Sequence, residues 1–174
     1  MNKFNLNKNN LLNYCDSLGR KLIHEYCIYN NLNGLKEYIS IIGKEEINLN
    51  LNLVDKFNNT CAHFASRNGN IEILEYLLQN GFNKWNEKEN RFGLTPLKLS
   101  IAMKHNECVK FLSSYANIQS INESLISSSQ EGNIQYFKLF LEKGADINFI
   151  DNDLEIFYSA RRNEIKNLQL IHYQ

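Results

Sequence analysis

One thirteen-residue pattern occurs twice in the chain, and this repetition constrains the fold more than any other feature. Residues 69–81 and 132–144 both begin with Gly-Asn-Ile and both end with a glycine. Between these glycines, apolar residues recur at the three- and four-residue spacing of a helix: Ile71, Leu74, Leu77 and Leu78, then Ile134, Phe137, Phe140 and Leu141. Each copy therefore predicts an amphipathic helix of about three turns between two glycine turns.

A second shared pattern precedes these helices. Residues 16–24 and 55–63 both open with aspartate and close with histidine, and residues 90–98 fit the same frame with Thr-Pro-Leu at 95–97. Proline suits the first turn of a helix because its missing N–H is not needed there. The repeating unit is thus a turn, a short helix, a glycine turn and a longer helix. Because one such unit cannot bury its apolar face alone, the units must stack.

This unit resembles the ankyrin repeat. The signature of that family opens with D-x-x-G, continues with T-P-L-H-x-A and a glycine, and ends with L-L-x-x-G-A-x-x-N. Residues 60–63 and 95–97 carry the first half of the signature, and residues 77–81 and 140–148 carry the second half. The resemblance implies an all-α solenoid of stacked helix–turn–helix units joined by short β-hairpin-like loops.

Five units fit this register within a repeat domain of residues 16–174. Their starts lie 39, 35, 28 and 31 residues apart, against about 33 in the family, and the units span residues 16–54, 55–89, 90–117, 118–148 and 149–174. The long first spacing predicts an insertion across 43–53, with Glu45 and Glu46 in a loop. The second spacing predicts two extra residues around 84–89, and the fourth unit lacks the T-P-L-H element.

Both ends of the stack are predicted to be capped. Residues 1–15 form the N-terminal cap, of which residues 1–10 are expected to be frayed. The fifth unit is interpreted as a degenerate C-terminal cap, because asparagine replaces its turn glycine and its outer face is polar. The adjacent Arg161 and Arg162 are interpreted as a solvated face of this cap, with contact to an acidic partner or a phosphate as the alternative. We expect the C-terminal end to be the softer part of the stack.

Charge and composition argue against several classes of partner. The 19 basic and 19 acidic residues give a formal net charge of zero, so no long-range attraction to nucleic acid or to an anionic membrane is expected. No apolar run approaches the roughly 18 residues of a membrane helix, and residues 1–10 lack the apolar core of a secretory signal. The sequence therefore predicts an intracellular protein, cytoplasmic or nuclear, that is monomeric.

The histidines are interpreted as structural residues. His24 and His63 hold the same place in their units, where the histidine of the family makes a hydrogen bond that braces adjacent hairpins. Later units carry other residues at this place, which predicts weaker bracing there: Lys98, Ile126 and Phe157. His105 and His172 lie in polar stretches without a pattern of partners.

No pattern of catalytic residues is found. Cys61 lies two residues from His63, but residues two apart on a helix do not face each other, so we interpret Cys61 as a packing residue. The chain has no phosphate-binding loop, dinucleotide fingerprint or nucleophile elbow. Its four cysteines include no C-x-x-C pair and suit reduced, mostly buried thiols. We expect no catalysis, no metal, no cofactor and no small-molecule substrate.

What remains is a surface for another protein. Ankyrin stacks present their hairpin tips and the exposed side of their first helices as one concave face. The resemblance thus implies twelve partner-binding residues in units two to four: Lys56, Phe57, Asn59, Arg67, Asn68, Arg91, Phe92, Leu94, Ala102, Met103, Gln130 and Glu131. Gln119, Ser120 and Asn122 would form a further tip. Phe57, Phe92 and Trp85 either face the partner, as aromatic residues at interface hot spots do, or pack against neighbouring units.

Three functional hypotheses stay open at this point. The first is an interaction module that binds an extended segment or a domain of another protein through its concave face. The second is a stand-alone inhibitor or decoy that occludes its partner, because the chain is nearly all repeat. The third is a fragment of a larger ankyrin-containing enzyme or channel, against which Met1 and the polar terminal unit argue.

Overall fold

The computed structural model describes residues 8–86 and 93–149, and within these ranges every regular element is a helix. These helices are short, and each has between six and thirteen residues. In chain order they are α1 (Lys8–Asn13), α2 (Leu22–Ile28), α3 (Leu32–Ile42), α4 (Lys44–Leu51), α5 (Cys61–Asn68), α6 (Ile71–Gln79), α7 (Pro96–Ala102), α8 (Asn106–Ser113), α9 (Ile118–Gln130) and α10 (Ile134–Glu142).

Eight of these helices form four helix–turn–helix units, and the units stack. The pairs are α2–α3, α5–α6, α7–α8 and α9–α10. Their first helices pack on one another in the order α2, α5, α7 and α9, while the second helix α6 packs on α8. The stack thus has a layer of first helices and a layer of second helices, called here inner and outer helices. This arrangement confirms the predicted all-α solenoid.

The turn between the two helices of each unit contains one residue in the left-handed region. These residues are Asn30, Gly69, Lys104 and Gly132, with φ between 52° and 73°. They are 39, 35 and 28 residues apart, the same intervals that separate the first four predicted unit starts. Glycine adopts this conformation without strain, whereas Asn30 and Lys104 adopt it with a Cβ atom present.

The core runs along the stack between the two layers. Leu74, Leu77, Phe137 and Phe140 of the repeated pattern have no exposed surface, and Leu78 and Leu141 are half-buried beside them. The apolar stripe predicted from sequence is therefore the buried stripe. Burial of each large apolar side chain stabilises the fold by about 1.5–3 kcal/mol before entropic losses are counted.

The predicted insertion is a helix rather than a loop, so the expectation for Glu45 and Glu46 was wrong. Both residues lie in α4, which packs against α3 through the buried side chains of Ile47 and Leu51. Ile47 and Leu51 are four residues apart and therefore share one helix face. The alternation of asparagine and leucine after Ile47 hid this spacing.

The N-terminal cap is more ordered than predicted over residues 8–10. These residues belong to α1, which packs on α3 and buries Leu11. An ion pair of 3.0 Å joins Lys8 Nζ to Glu46 Oε2 and links α1 to α4. Helices α1 and α4 thus both attach to the first unit.

Unit four has no separate tip, which corrects the prediction for Gln119, Ser120 and Asn122. All three lie inside α9, and the Ser120 and Asn122 side chains are buried. Asn117 begins this helix because its side-chain oxygen accepts a hydrogen bond of 2.8 Å from the Ser120 N–H. The absence of the T-P-L-H element from unit four thus goes with a longer inner helix.

Several predictions concern residues outside the described ranges. These are residues 87–89 of the segment expected to hold two extra residues, the tip residues Arg91 and Phe92, the fraying of residues 1–7, and most of the fifth unit with Arg161, Arg162 and His172.

Candidate protein-binding surface

The tip that precedes α5 is a turn organised by one aspartate. Asp55 Oδ1 accepts hydrogen bonds of 2.8 Å from the backbone N–H groups of Phe57 and Asn59, and its Oδ2 accepts one from Asn59 Nδ2. The preceding tip has the same geometry, with Asp16 Oδ1 accepting from Leu18 and Arg20. Aspartate favours such turns because its short side chain reaches the backbone two residues ahead.

Neighbouring tips are bonded to each other directly. The Lys56 N–H donates to the Leu18 carbonyl at 2.9 Å, and Lys56 Nζ donates to the Ser17 carbonyl at 2.8 Å. The backbone of the second tip is therefore held against the first.

The two histidines brace the same edge of the stack, as predicted. In each, Nδ1 accepts a backbone N–H from three residues earlier, Lys21 for His24 and Thr60 for His63. Nε2 therefore carries the proton and donates at 3.0 Å to a carbonyl beside the next tip. His24 donates to Leu53, directly before the second tip, and His63 donates to Leu94 of unit three. Burial lowers the pKa of His24, which favours this neutral ring.

An ion pair takes this position between units three and four. Lys98 stands where His24 and His63 stand in earlier units, and its Nζ lies 2.7 Å from Glu123 Oε2 on α9. The Glu123 side chain is 3% exposed, and its Oε1 accepts a hydrogen bond of 2.8 Å from Gln119. A charged contact therefore replaces the neutral histidine contact at this step of the stack.

A second row of hydrogen bonds braces the opposite edge, at the turns between inner and outer helices. Asn68 Nδ2 donates to the Ile28 carbonyl at 2.8 Å, and His105 Nε2 contacts the Arg67 carbonyl at 3.1 Å. Ile28 and Arg67 occupy equivalent places in their units. The sequence shows no pattern of partners for His105, and its partner is a backbone carbonyl 38 residues away.

Glycine at position 69 makes room for His105. A Cβ atom placed on Gly69 would lie 2.6 Å from His105 Nδ1, which is too close for any side chain. The same glycine has φ of +73°. Position 69 therefore requires glycine for both its backbone conformation and the approach of the next unit.

Between these two braced edges lies the surface that we call the inner face. It consists of the tip turns, the exposed side of the inner helices and the turns that follow them. The predicted residues on the inner helices and their turns are all exposed: Arg67, Asn68, Ala102, Met103, Gln130 and Glu131. Of the predicted tip residues, Lys56 is exposed, whereas Phe57, Asn59 and Leu94 are half-buried.

The inner face also includes two residues that the sequence reasoning missed. Tyr29, which is 74% exposed, stands one unit before Asn68, and Lys104 stands one unit after Gly69. The unit spacing of 39 and 35 residues could have identified both positions.

Trp85 packs inside the protein. It is 7% exposed, and its ring lies edge-on to Phe82 with 4.5 Å between centroids and also contacts Phe111 and Tyr115. Of the two roles considered for Trp85, the structure supports packing between neighbouring units.

The buried cysteines are suited to packing. Burial raises the pKa of the Cys61 thiol well above its usual range and raises the pKa of Cys108 to about 11. Both side chains are therefore protonated and weakly nucleophilic at neutral pH. Within residues 8–86 and 93–149, no cluster of three or more histidine, cysteine or carboxylate side chains is arranged to hold a metal ion. No helix in that part is long and apolar enough to cross a membrane.

Comparison with known proteins places this geometry in a family. Residues 23–122 match the family model for ankyrin repeats, which comprises three copies. The chain is 33% identical over 90 residues, 51% of its length, to ankyrin repeat protein L66 of Acanthamoeba polyphaga mimivirus. It is 26% identical over 119 residues, 66% of its length, to an ankyrin repeat and KH domain-containing protein of Caenorhabditis briggsae. It is also 26% identical over 147 residues, 81% of its length, to the human transient receptor potential cation channel subfamily A member 1.

These relatives are much longer than the matched region. The chain covers 14% of the mimivirus protein, 4% of the Caenorhabditis protein and 13% of the human channel. The likeness therefore concerns only a small part of each relative.

Proposed function

This chain belongs to the ankyrin-repeat family, whose repeats serve generally as protein-interaction modules, and from that membership we propose that it binds another protein through the inner face of units two to four. The proposed role is recognition without catalysis. Function resides in a particular surface rather than in the fold, so the proposal must be argued from the residues of this face.

The observation that carries the proposal is the bracing of the inner face along both edges. At the tips, Lys56 bonds unit two to unit one and His63 bonds unit two to unit three; at the turns, Asn68 and His105 bond adjacent units. The positions between these rows stay exposed, including Met103 at 46%. A surface held in place before binding loses less conformational entropy when a partner docks.

The experiment compares partner recovery by variants that fill or trim this face. Ala102→Trp places a bulky side chain on the inner face, and the double variant Phe57→Ala/Met103→Ala removes apolar contacts there. Gln79→Ala is the matched control, because Gln79 is exposed on the outer helix α6. Affinity purification with mass spectrometry should lose the same partner with both inner-face variants and retain it with the control.

Circular dichroism must show that every variant keeps the helical spectrum of the wild type. A partner retained by folded Ala102→Trp and lost by Gln79→Ala would overturn the assignment of the surface.

The lengths of the relatives favour a second candidate, a recognition segment within a longer ankyrin protein. The chain covers 14% or less of each of the three. An immunoblot of the source cells with an antibody to residues 8–86 would decide this, because a band near 20.4 kDa argues against a longer protein.

A further inference from the structure

We infer that the partner segment bound by the inner face is acidic and carries an apolar side chain. This inference rests on the proposed function, because it specifies the chemistry of the partner for that same face. Its basis is the distribution of exposed charge in units two and three.

In these units the exposed acidic residues lie on the outer layer, and most exposed basic residues lie on the inner face. Within the described part of residues 55–117, the exposed basic residues of the inner face are Lys56, Arg67 and Lys104, and the exposed basic residue of the outer helices is Lys110, which is paired with Glu107. The exposed acidic residues of the same part all belong to outer helices: Glu72 and Glu75 on α6 and Glu107 on α8. A formal net charge of zero for the whole chain therefore conceals a basic inner side.

The carboxylates of the inner side are largely engaged. Asp55 is 5% exposed and is bonded within its own turn, and Glu123 is paired with Lys98. On the described inner helices and turns of units two to four, Glu131 is the one exposed carboxylate, and it lies within the electrostatic influence of Lys104. Arg67 has no ion-pair partner among the described residues, so its guanidinium is free to meet a carboxylate.

Apolar surface lies among these cations. Met103 is 46% exposed and precedes Lys104 directly, Ala102 is exposed beside it, and Phe64 is half-buried one turn before Arg67. A partner that offered charge alone would leave this surface in water, whereas an acidic segment with one apolar side chain would cover it.

The same features favour a peptide over a nucleic acid. Three exposed cations would neutralise only a few phosphates, which gives weak and strongly salt-dependent binding. In the described part of units two and three the exposed apolar side chains of the inner face are the aliphatic Met103 and Ala102, on which a base cannot stack, and the exposed ring of Tyr29 belongs to unit one.

The test uses a random twelve-residue peptide library displayed on phage, with purified full-length protein as the target. We expect the recovered peptides to be enriched in aspartate and glutamate flanking an apolar residue. One selected peptide is then synthesised with a fluorescent label and titrated against each variant at 50 mM and 300 mM salt. We expect the double reversal Arg67→Glu/Lys104→Glu to weaken binding about tenfold or more, and higher salt to weaken wild-type binding several-fold.

Lys110→Glu is the matched control for charge. Lys110 lies on α8, six residues after Lys104, and its exposed side chain pairs with Glu107 on the outer layer. Lys110→Glu changes the net charge by the same amount as Arg67→Glu or Lys104→Glu alone. We expect its affinity for the peptide to equal that of the wild type.

Three other outcomes would overturn the inference. Peptides that are blocked by Ala102→Trp but are not acidic would refute the charge argument and leave the proposed function standing. Peptides whose binding Ala102→Trp does not affect would refute both. A twelve-nucleotide single-stranded DNA that displaces the acidic peptide at equal concentration would show that the face recognises phosphate instead.

Discussion

His63 Nε2 and the Leu94 carbonyl oxygen lie 3.0 Å apart, although 31 residues separate them in the chain. Both groups belong to the edge where one unit meets the next, and His63 is 1% exposed. The same ring accepts the Thr60 N–H at 3.1 Å, so one side chain ties the start of its own helix to the following unit. A local cap and a long-range brace are thus made by one imidazole.

Replacing His63 with alanine should destabilise the protein by about 2–4 kcal/mol. The change removes the hydrogen bonds to the Leu94 carbonyl and from the buried Thr60 N–H and opens a small cavity, and loss of a partner at a buried group costs about 1–3 kcal/mol. Urea unfolding followed by circular dichroism measures the effect. Lys110→Ala, on the exposed outer surface, is the control and should change stability by less than about 0.5 kcal/mol. An equal, small effect of both variants would contradict a bracing role.

Acidification should weaken the protein through His24. Burial holds the pKa of His24 below its usual value near 6.5, so the unfolded chain binds a proton that the folded chain resists. The stability contributed by neutral His24 is fully present above about pH 6.5 and is lost as the pH falls toward the folded pKa. The urea midpoint should fall between pH 7.5 and pH 5.5 by less in His24→Gln than in the wild type. The same fall of the midpoint in both proteins would refute this origin.

Substitutions at the left-handed turn residues Lys104 and Gly69 should change stability in opposite directions. Lys104→Gly removes a Cβ atom from a left-handed residue and should raise stability by up to about 1 kcal/mol. Gly69→Ala should lower it by more, because the new Cβ would meet His105 as well as strain the backbone. Thermal unfolding of the two variants in parallel measures both shifts. A stabilising Gly69→Ala would show that the contact with His105 is relaxed in solution.

The pair Lys98–Glu123 should behave as a coupled unit. Glu123→Gln leaves a largely buried ammonium without its counter-charge and should cost about 3–5 kcal/mol, the range for breaking one side of a buried pair. Lys98→Met/Glu123→Leu removes both charges and should cost clearly less than the sum of the single changes. A double-mutant cycle by urea unfolding gives the coupling energy. Strict additivity would mean that water already screens this pair.

Trp85 should report on the contact between units two and three. It is the single tryptophan of the chain and packs against three aromatic rings, so its fluorescence should shift to the red when these units separate. Trp85→Phe should destabilise the protein by about 1–3 kcal/mol through lost packing. If fluorescence and circular dichroism gave different unfolding midpoints, the stack would be unfolding in parts.

Features that follow helix periodicity or the shared signature could be predicted well. The apolar stripe from Leu74 to Leu77 is buried, and His24 and His63 make the bracing bonds implied by the resemblance. Helix periodicity and the place of a residue in the signature can both be read directly along the chain.

Contacts between units that are not part of the signature could not be predicted. His105 bonds the Arg67 carbonyl, and Lys98 pairs with Glu123 in the place of a histidine contact. A backbone carbonyl has no sequence signature, and Lys98 and Glu123 are 25 residues apart in a unit of altered length. The prediction of a loop at α4 was wrong for a related reason. Only the contact of α4 with α3 shows that Ile47 and Leu51 share a buried face.

The sequence alone thus determined the architecture of this protein: repeated apolar spacing specifies helices that cannot be buried singly, and the shared signature specifies how they pair. The tertiary structure decided how adjacent units are held together and which charges face the inner side. The physical reason is that stacking brings together groups from different units, so the hydrogen bonds, ion pairs and exposure of Arg67, Met103 and Lys104 arise only once the units are in contact.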